Sequence, residues 1–160
     1  MSEYTLPVQD MYEFRIEEVE CLEDNYETPQ GELKDEYRLR VSLVGTSNPD
    51  YDGEPFLVTV FGVREVKKLV STRKGQRNVS NAFKLLQALG LNPPEKTRFK
   101  DVNMMALEGC YGRGFVGHSQ DGEWARLPIS DMKPIINPEH LKINQEKRSS
   151  ILPTAPQAAA

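Results

Sequence analysis

GCYGRGFVGHS, residues 109–119, sets four glycines among aromatic, basic and small side chains. The pair Asp121-Gly122 follows it, and Asp-Gly between apolar strands is a strong signal for a β-hairpin. We therefore expect residues 110–118 to form one strand and residues 124–130 to form the returning strand.

Two registers are compatible with this hairpin. A two-residue loop would pair Val116 with Leu127 and Gly114 with Ile129, whereas a four-residue loop would pair Val116 with Ala125. Because side chains alternate along a strand, both registers give one face of small and apolar residues: Cys110, Gly112, Gly114, Val116, His118, Ala125, Leu127 and Ile129. A strand that curves tightly to close a small barrel has little room for large inward side chains, so the inward glycines predict such a curved strand.

The opposite face of the hairpin combines three aromatic rings with two guanidinium groups. Rings stack on unpaired bases and cations hold phosphates, so this combination is typical of a surface that binds a single nucleic-acid strand. The alternative is that this face packs under helices and belongs to the core. The residues concerned are Tyr111, Arg113, Phe115, Trp124 and Arg126.

Three further strands are predicted earlier in the chain. Apolar residues alternate with charged ones over 12–21, with a shift of phase that indicates a bulge. The segment 36–45, EYRLRVSLVG, alternates cleanly and places Arg38 and Arg40 on its polar face. Residues 56–63 form the third strand, after a turn at 46–55 that we interpret as a hairpin tip rather than a calcium loop.

The period changes after the third strand. Apolar residues three and four apart over 64–70 and 79–89 predict two helices, or one broken helix, with Gly90 ending the second. A polar, basic elbow joins the two segments. We count its cations, with those just before it, among the candidate nucleic-acid contacts: Lys67, Lys68, Arg73, Lys74 and Arg77.

The order of three strands, a helical insertion and a two-stranded hairpin is that of a mainly β, five-stranded oligonucleotide/oligosaccharide-binding (OB) barrel, β-β-β-α-β-β. We expect this OB-like nucleic-acid-binding domain to span residues 1–136, with the helical insertion between strands 3 and 4. Residues 137–160 contain prolines and small residues with little to bury, which predicts a flexible tail. Its one short apolar element, SSILP, could dock on a partner as a peptide, although a passive tail fits the composition better.

The charge is distributed unevenly. The net charge is −4, yet residues 1–36 hold 2 Lys/Arg and 12 Asp/Glu, while residues 55–100 hold 10 Lys/Arg and 2 Asp/Glu. An acidic N-terminal arm joined to a basic middle suits a protein with one face for an anionic ligand, since local field steers ligands. Charges that merely solvate the surface would give the same composition.

Several other classes of function lack their sequence signals. The glycines follow neither the P-loop spacing nor the dinucleotide fingerprint, and no nucleophile elbow occurs. The cysteines, Cys21 and Cys110, have no C-x-x-C spacing, and we expect both to be reduced and buried. We expect no enzyme activity, no metal and no cofactor. No apolar run approaches the length of a membrane span, which predicts a soluble, cytoplasmic protein.

Between about residues 12 and 135, the chain resembles a family of small phage and prophage OB-fold proteins that bind single-stranded DNA in replication or recombination. The resemblance lies in EYRLRVSLVGTSNPDYDGEPF, in NAFKLLQALGL and in LEGCYGRGFVGHSQDGEWARLPISDMKPI. It implies binding of single-stranded DNA without catalysis, in a bacterial or phage-infected cell. The tail departs from bacterial single-strand-binding proteins, because it lacks their acidic, aromatic-ended tip.

The sequence thus favours a protein that binds single-stranded DNA, with RNA as an alternative strand, by base stacking and phosphate neutralisation. We expect a homo-oligomer that contacts no membrane and recruits replication or recombination proteins, if at all, through its tail. The main alternative is an OB-fold subunit that joins a larger protein assembly through the same surface. The net acidic charge is the best argument for that alternative.

Overall fold

The computed structural model describes residues 6–46 and 56–153 of the 160-residue chain. The predicted hairpin tip at 46–55 lies, apart from Thr46, outside these residues. The described part is mainly β. Its strands are Asp10–Glu27 (β1), Leu33–Gly45 (β2), Phe56–Arg64 (β3), Val70–Arg73 (β4), Gln76–Val79 (β5), Tyr111–His118 (β6), Ala125–Arg126 (β7) and Met132–Lys133 (β8). Its helices are Asn81–Ala88 (α1) and Pro138–Ile151 (α2), with short 3-10 helices at Phe99–Asp101, Met104–Leu107 and Ile129–Asp131.

Six strands form one antiparallel sheet in the order β3-β2-β1-β6-β7, with β8 paired to β6. The sheet is not closed, since β3 and β7 share no ladder within the described residues. The mainly β, antiparallel part of the predicted fold is therefore confirmed. Neither α1 nor α2 is long and apolar enough to span a membrane.

The long central strand β1 is bulged, as its sequence predicts. Its register against β2 shifts between Ile16 and Glu18, so that Val19 returns to the buried face after Ile16. From Asp10 to Glu27 the acidic segment is consequently no free arm. It is the middle strand of the sheet, with β2 on one side and β6 on the other.

One apolar core lies between the inner face of the sheet and helix α1. Phe14, Leu43 and Val63 are fully buried on the sheet, and Leu85, Leu86 and Leu89 pack against them from α1 and its C-cap. The hydroxyl oxygen of Ser80 caps α1 by accepting from the Phe83 N–H. Gly90 adopts a φ of +77° just after the helix, as its position as a C-terminal stop predicts.

The glycine-rich stretch is a strand, and its glycines at 112 and 114 face inward, as expected. A Cβ atom on Gly112 would overlap the ring of Phe14. One on Gly114 would lie 2.7 Å from Leu127 Cδ1 and 3.3 Å from the Met132 Cα. The inner face of this strand is therefore filled by side chains from its neighbours.

The returning strand is shorter than predicted. Gly117 pairs with Arg126 and His118 with Ala125, the register that we derived for a two-residue loop. The ladder then breaks at Pro128, which has no N–H to donate, and at the 3-10 helix that follows it. Gly114 pairs with Met132 on β8, so the predicted pairing of Gly114 with Ile129 is wrong.

The helix predicted over 64–70 is also wrong. Residues 70–79 form a two-stranded antiparallel hairpin, β4–β5, whose turn residues Lys74 and Gly75 have φ values of +52° and +77°. Positive φ at both central residues is the type I′ geometry that closes a tight hairpin. The spacing of Val66, Leu69 and Val70 imitates a helix because a bend, rather than a helical turn, brings these side chains to the core.

The prediction of a flexible tail is wrong for residues 137–153. Helix α2 begins at Pro138, capped by the Asn137 side chain, and packs against β6 and the 3-10 helix at Met104–Leu107. Ile151 and Leu152 are almost completely buried. The apolar element SSILP therefore packs into the core of its own chain. The sequence did not indicate this packing, because most of α2 is polar.

Candidate nucleic-acid interface

A large surface cleft lies between β3 and the segment that runs from the β6–β7 loop to Ser130. Its volume is about 760 Å³. Leu57 and Phe61 of β3 form one wall, and Trp124, Arg126 and Pro128 belong to the other. The cleft follows the open seam of the sheet, where β3 and β7 form no ladder. We refer to this space as the cleft.

Trp124 is held by hydrogen bonds within its own loop. The N–H of Ser119 donates to the Trp124 carbonyl at 2.8 Å, and the N–H of Trp124 donates to the Ser119 hydroxyl at 3.1 Å. Asp121 accepts from the Ser119 hydroxyl at 2.5 Å and from the Glu123 N–H at 3.0 Å. The indole is nevertheless 64% exposed. The loop therefore holds the backbone of Trp124 in place and leaves its large ring exposed to solvent.

These hydrogen bonds also perturb the acid of the loop. The Ser119 hydroxyl, followed by the backbone N–H of Glu123, lowers the pKa of Asp121 below its ordinary value of 3.8. Both donors favour the carboxylate over the neutral acid. The ionised form of Asp121 is thus part of the structure that positions Trp124.

The facing wall comes from the outer side of β3. Phe61 is 62% exposed and Leu57 is 55% exposed, whereas Val58 and Val60 between them are buried. Near the end of β3 the register slips, so that Phe61 and Gly62 both stand opposite Arg38. Gly62 takes a φ of +94° there, and its carbonyl accepts from the Asn81 side chain at 2.8 Å. This bulge keeps Val60 and Val63 buried and turns Phe61 toward the cleft.

Phe61 and Leu57 are functional candidates that the sequence interpretation missed. The signal was present, because the odd positions 57, 59 and 61 alternate with buried valines in FLVTVFGV. A leucine and a phenylalanine on the solvent side of a half-buried strand mark an unusual apolar surface.

The predicted aromatic and basic face is divided by the structure. Trp124 and Arg126 line the cleft. Phe115 is 41% exposed on β6, and its ring lies 3.7 Å from the position that a Cβ on Gly117, the register partner of Arg126, would occupy. Phe115, Trp124 and Arg126 are all exposed.

The other two members of that face are partly covered, Tyr111 by helix α2 and Arg113 by the segment just before that helix. The ring of Tyr111 stacks on His140 of α2, with centroids 4.0 Å apart and planes inclined by 12°. Arg113 is half-buried and donates to the Pro134 carbonyl at 3.4 Å. The alternative of packing under helices therefore holds for Tyr111, whose ring is covered by the segment that we expected to be flexible.

The arginines of β2 are matched by glutamates of β1. Arg38 donates to Glu20 at 2.5 Å, and Arg40 lies 3.8 Å from Glu18. All four side chains are substantially exposed, so each pair contributes little to stability. The pairs instead reduce the positive electrostatic potential, because they leave this part of the outer face close to neutral.

The remaining predicted cations surround the β4–β5 hairpin. Lys67, Lys68, Arg73, Lys74 and Arg77 are all exposed. Arg77 pairs with Glu95 at 2.8 Å, and this hydrogen bond raises the pKa of the guanidinium. The structure therefore separates these cations from the β2 arginines, which lie in the large sheet: Arg73, Lys74 and Arg77 lie on the hairpin, and Lys67 and Lys68 lie just before it.

The described residues contain no group of three or more His, Cys, Asp or Glu side chains arranged to hold a metal ion. Cys110 is buried, which raises the pKa of its thiol to about 11, while Cys21 is only partly buried. Both cysteines are free, as expected, but only Cys110 is buried as expected.

No protein-family model, curated protein or solved structure matches this chain.

Proposed function

We propose that this protein binds single-stranded DNA, without catalysis, in the cleft between β3 and the β6–β7 segment. The observation that carries the proposal is the pair of exposed aromatic side chains, Phe61 and Trp124, on opposite walls of one apolar cleft. Arg126 lies beside them and supplies a cation for the phosphate backbone. Stacking on such rings contributes about 1–3 kcal/mol per base and tolerates any sequence.

The topology supports this placement. The meander β1-β2-β3, the pairing of β6 with β1, and the return through β7 and β8 follow the strand order of an OB barrel. We interpret the fold as a five-stranded OB-like barrel whose seam between β3 and the returning segment is open. In such barrels the outer face of the second and third strands, with the loop between the last two strands, is the binding surface. Phe61 and Trp124 occupy those two positions.

The resemblance to phage and prophage single-strand-binding proteins supports the same proposal and suggests a role in replication or recombination. We further propose a homo-oligomer. Because α2 is packed on the domain, recruitment of other proteins through a tail would fall to the residues after Pro153.

The intrinsic fluorescence of Trp124 tests the proposal directly, since it is the only tryptophan of the chain. Titration with oligo-dT at low salt should quench the emission, and Trp124→Ala should weaken binding about tenfold in a mobility-shift assay. Tyr26→Ala, which replaces an aromatic residue of β1 that does not line the cleft, is the control and should bind as the wild type does. Absence of both quenching and a mobility shift at high protein concentration would exclude the proposal.

A second function is favoured by a different observation. The ion pairs of Arg38 and Arg40 with Glu20 and Glu18 remove much of the positive charge expected near the cleft, and Leu57 adds apolar surface. A largely apolar cleft of this kind also suits an interface with another protein. Salt dependence separates the two: binding of a strand weakens steeply with salt because counterions are released, whereas apolar protein binding does not.

A further inference from the structure

The β4–β5 hairpin, residues 70–79, projects from the domain without a core of its own. Val70 is buried at its base, but all residues from 71 to 78 are exposed. An isolated two-stranded hairpin is at best marginally stable in water. We call this hairpin the arm. Its type I′ turn at Lys74-Gly75 keeps it tightly closed.

The chemistry of the arm is uniform. Its exposed sequence, STRKGQRN, contains three cations, no acidic residue and no apolar or aromatic residue. Ser71, Arg73, Gln76 and Asn78 share one face of the ribbon. Within the described residues, Arg73 and Lys74 form no ion pair, whereas Arg77 is held by Glu95. Two unneutralised charges therefore stand at the tip.

This composition favours one kind of nucleic acid over another. Unpaired bases are held by stacking on rings, and the arm has no ring to offer. A duplex keeps its bases stacked internally and presents phosphates and base edges, which are contacted by Arg, Lys, Gln, Asn and Ser side chains. The arm therefore has the chemistry for a duplex, while the cleft has the chemistry for a single strand.

The dimensions of the arm fit this assignment. From Val79 to Gln76 the ribbon rises by about 10 Å, at roughly 3.4 Å per residue. The major groove of B-DNA is about 8.5 Å deep and 12 Å wide, and it admits a two-stranded β-ribbon. The base of the arm also adjoins the cleft, since Asn81, two residues after Val79, lies in the cleft wall. A nucleic acid that continues from the cleft past Asn81 would run toward the base of the arm.

We propose that the arm enters the major groove of a duplex that continues from the strand bound in the cleft, so that the protein recognises junctions between single-stranded and double-stranded DNA. This inference rests on the proposed function, because the cleft supplies the single-strand half of the junction. Arg73 and Lys74 contact phosphates or base edges of the duplex, and Gln76 and Asn78 add hydrogen bonds.

Fluorescence anisotropy with three labelled DNAs tests this inference: oligo-dT, a blunt duplex, and the same duplex with an oligo-dT overhang. The wild type should bind the overhang duplex about tenfold more tightly than oligo-dT. The double variant Arg73→Gln/Lys74→Gln should lose that preference and flatten the log–log salt slope for the overhang duplex by about 2, while its affinity for oligo-dT stays within about twofold. The charge-matched control Lys142→Gln/Lys147→Gln, on α2, should retain the preference.

The outcomes separate the two proposals. Equal affinity of the wild type for oligo-dT and the overhang duplex would overturn the junction assignment, as would an arm variant that loses oligo-dT binding and overhang binding alike. Polyglutamate, added at the same concentration of charge, serves as a competitor. If it displaced the blunt duplex, the arm would bind any polyanion, and the junction assignment would fail. Loss of oligo-dT binding in Trp124→Ala, with any of these results, would leave the proposed function standing. Conversely, arm-dependent duplex binding by a protein that does not bind oligo-dT would overturn the proposed function and, with it, the junction assignment, and only duplex binding by the arm would remain.

Discussion

Gly112 of β6 lies directly against the aromatic ring of Phe14 on β1. The two residues are register partners, and the ring occupies the space where a Cβ on residue 112 would stand. Phe14 is fully buried. The ring of one strand thus covers the backbone of the next, and this contact explains why a strand rich in glycine can form one wall of a core.

Gly112→Ala should therefore destabilise the protein by about 3 kcal/mol, because the added methyl group displaces a buried ring in a packed core. Gly117→Ala in the same strand is the matched control. A Cβ there would lie 3.4 Å from Gln9 Oε1 and 3.7 Å from Phe115, so the change should stay within about 0.5 kcal/mol. Urea unfolding followed by circular dichroism measures both. Equal midpoints for the two variants would contradict the packing of Phe14 on residue 112.

Asn144 on helix α2 is fully buried, and its amide fixes the helix to the sheet and to α1. Its oxygen accepts from the Tyr111 N–H at 2.8 Å, and its nitrogen donates to the Tyr111 and Leu89 carbonyls at 2.7 and 2.8 Å. Asn144→Ala leaves these backbone groups without partners and should cost about 3 kcal/mol in the free energy of unfolding.

Gln145→Ala, at an exposed position of the same helix, is the control for Asn144→Ala and should be nearly neutral. Hydrogen exchange adds a local measurement: in Asn144→Ala, amides of α2 and of residue 111 should lose protection before those of β2. Unchanged protection of α2 would show that its other contacts, among them Ile151, Leu152 and the hydrogen bond from Arg148 to the Leu91 carbonyl, hold the helix without Asn144.

The sequence could predict those elements whose pattern was local and strict. Alternation fixed the faces of β2 and β6, and the phase shift after Ile16 revealed the bulge in β1. The Asp-Gly pair located the last hairpin, and the observed register is one of the two that the sequence left open. These features follow from side-chain alternation and turn geometry, which act over a few residues.

The failures arose where a distant contact overrides the local pattern. Helix α2 is polar over most of its surface. Its contacts with the domain are the buried Asn144 amide, the stack of His140 on Tyr111, the hydrogen bond from Arg148 to the Leu91 carbonyl and the terminal apolar residues, and such a mixed set gives no apolar period. The arm has no apolar face, so only its Lys74-Gly75 turn marked it as a hairpin. The neutralisation of Arg38 and Arg40 depended on which strand pairs with β2, and the sequence does not state that pairing. The role of Phe61 was missed for a similar reason: the wall that it faces across the cleft is more than fifty residues away in the sequence, and no local pattern brings the two together.

Phe61→Ala should weaken binding of oligo-dT about tenfold while changing stability little, because the ring stacks on a base and is 62% exposed in the free protein. Val44→Ala, at an exposed apolar position on the neighbouring β2, is the control and should bind normally. Mobility-shift titrations at matched salt measure the difference. If Phe61→Ala binds normally while Trp124→Ala does not, the strand follows the β6–β7 loop without entering the cleft.

The loop that holds Trp124 should loosen in acid. The pKa of Asp121 lies below its ordinary value of 3.8, owing first to the Ser119 hydroxyl and then to the Glu123 N–H. A carboxylate with a depressed pKa in the folded state stabilises the loop above pH 3.8, and the contribution is lost as the pH falls through that depressed value. Time-resolved anisotropy of Trp124 should therefore show faster local motion on acidification, at a pH below the ordinary Asp range. In Asp121→Asn the amide cannot titrate, so this transition should disappear, whereas Glu123→Gln in the same loop should retain it. A transition that persists in Asp121→Asn would assign the loosening to general acid unfolding instead.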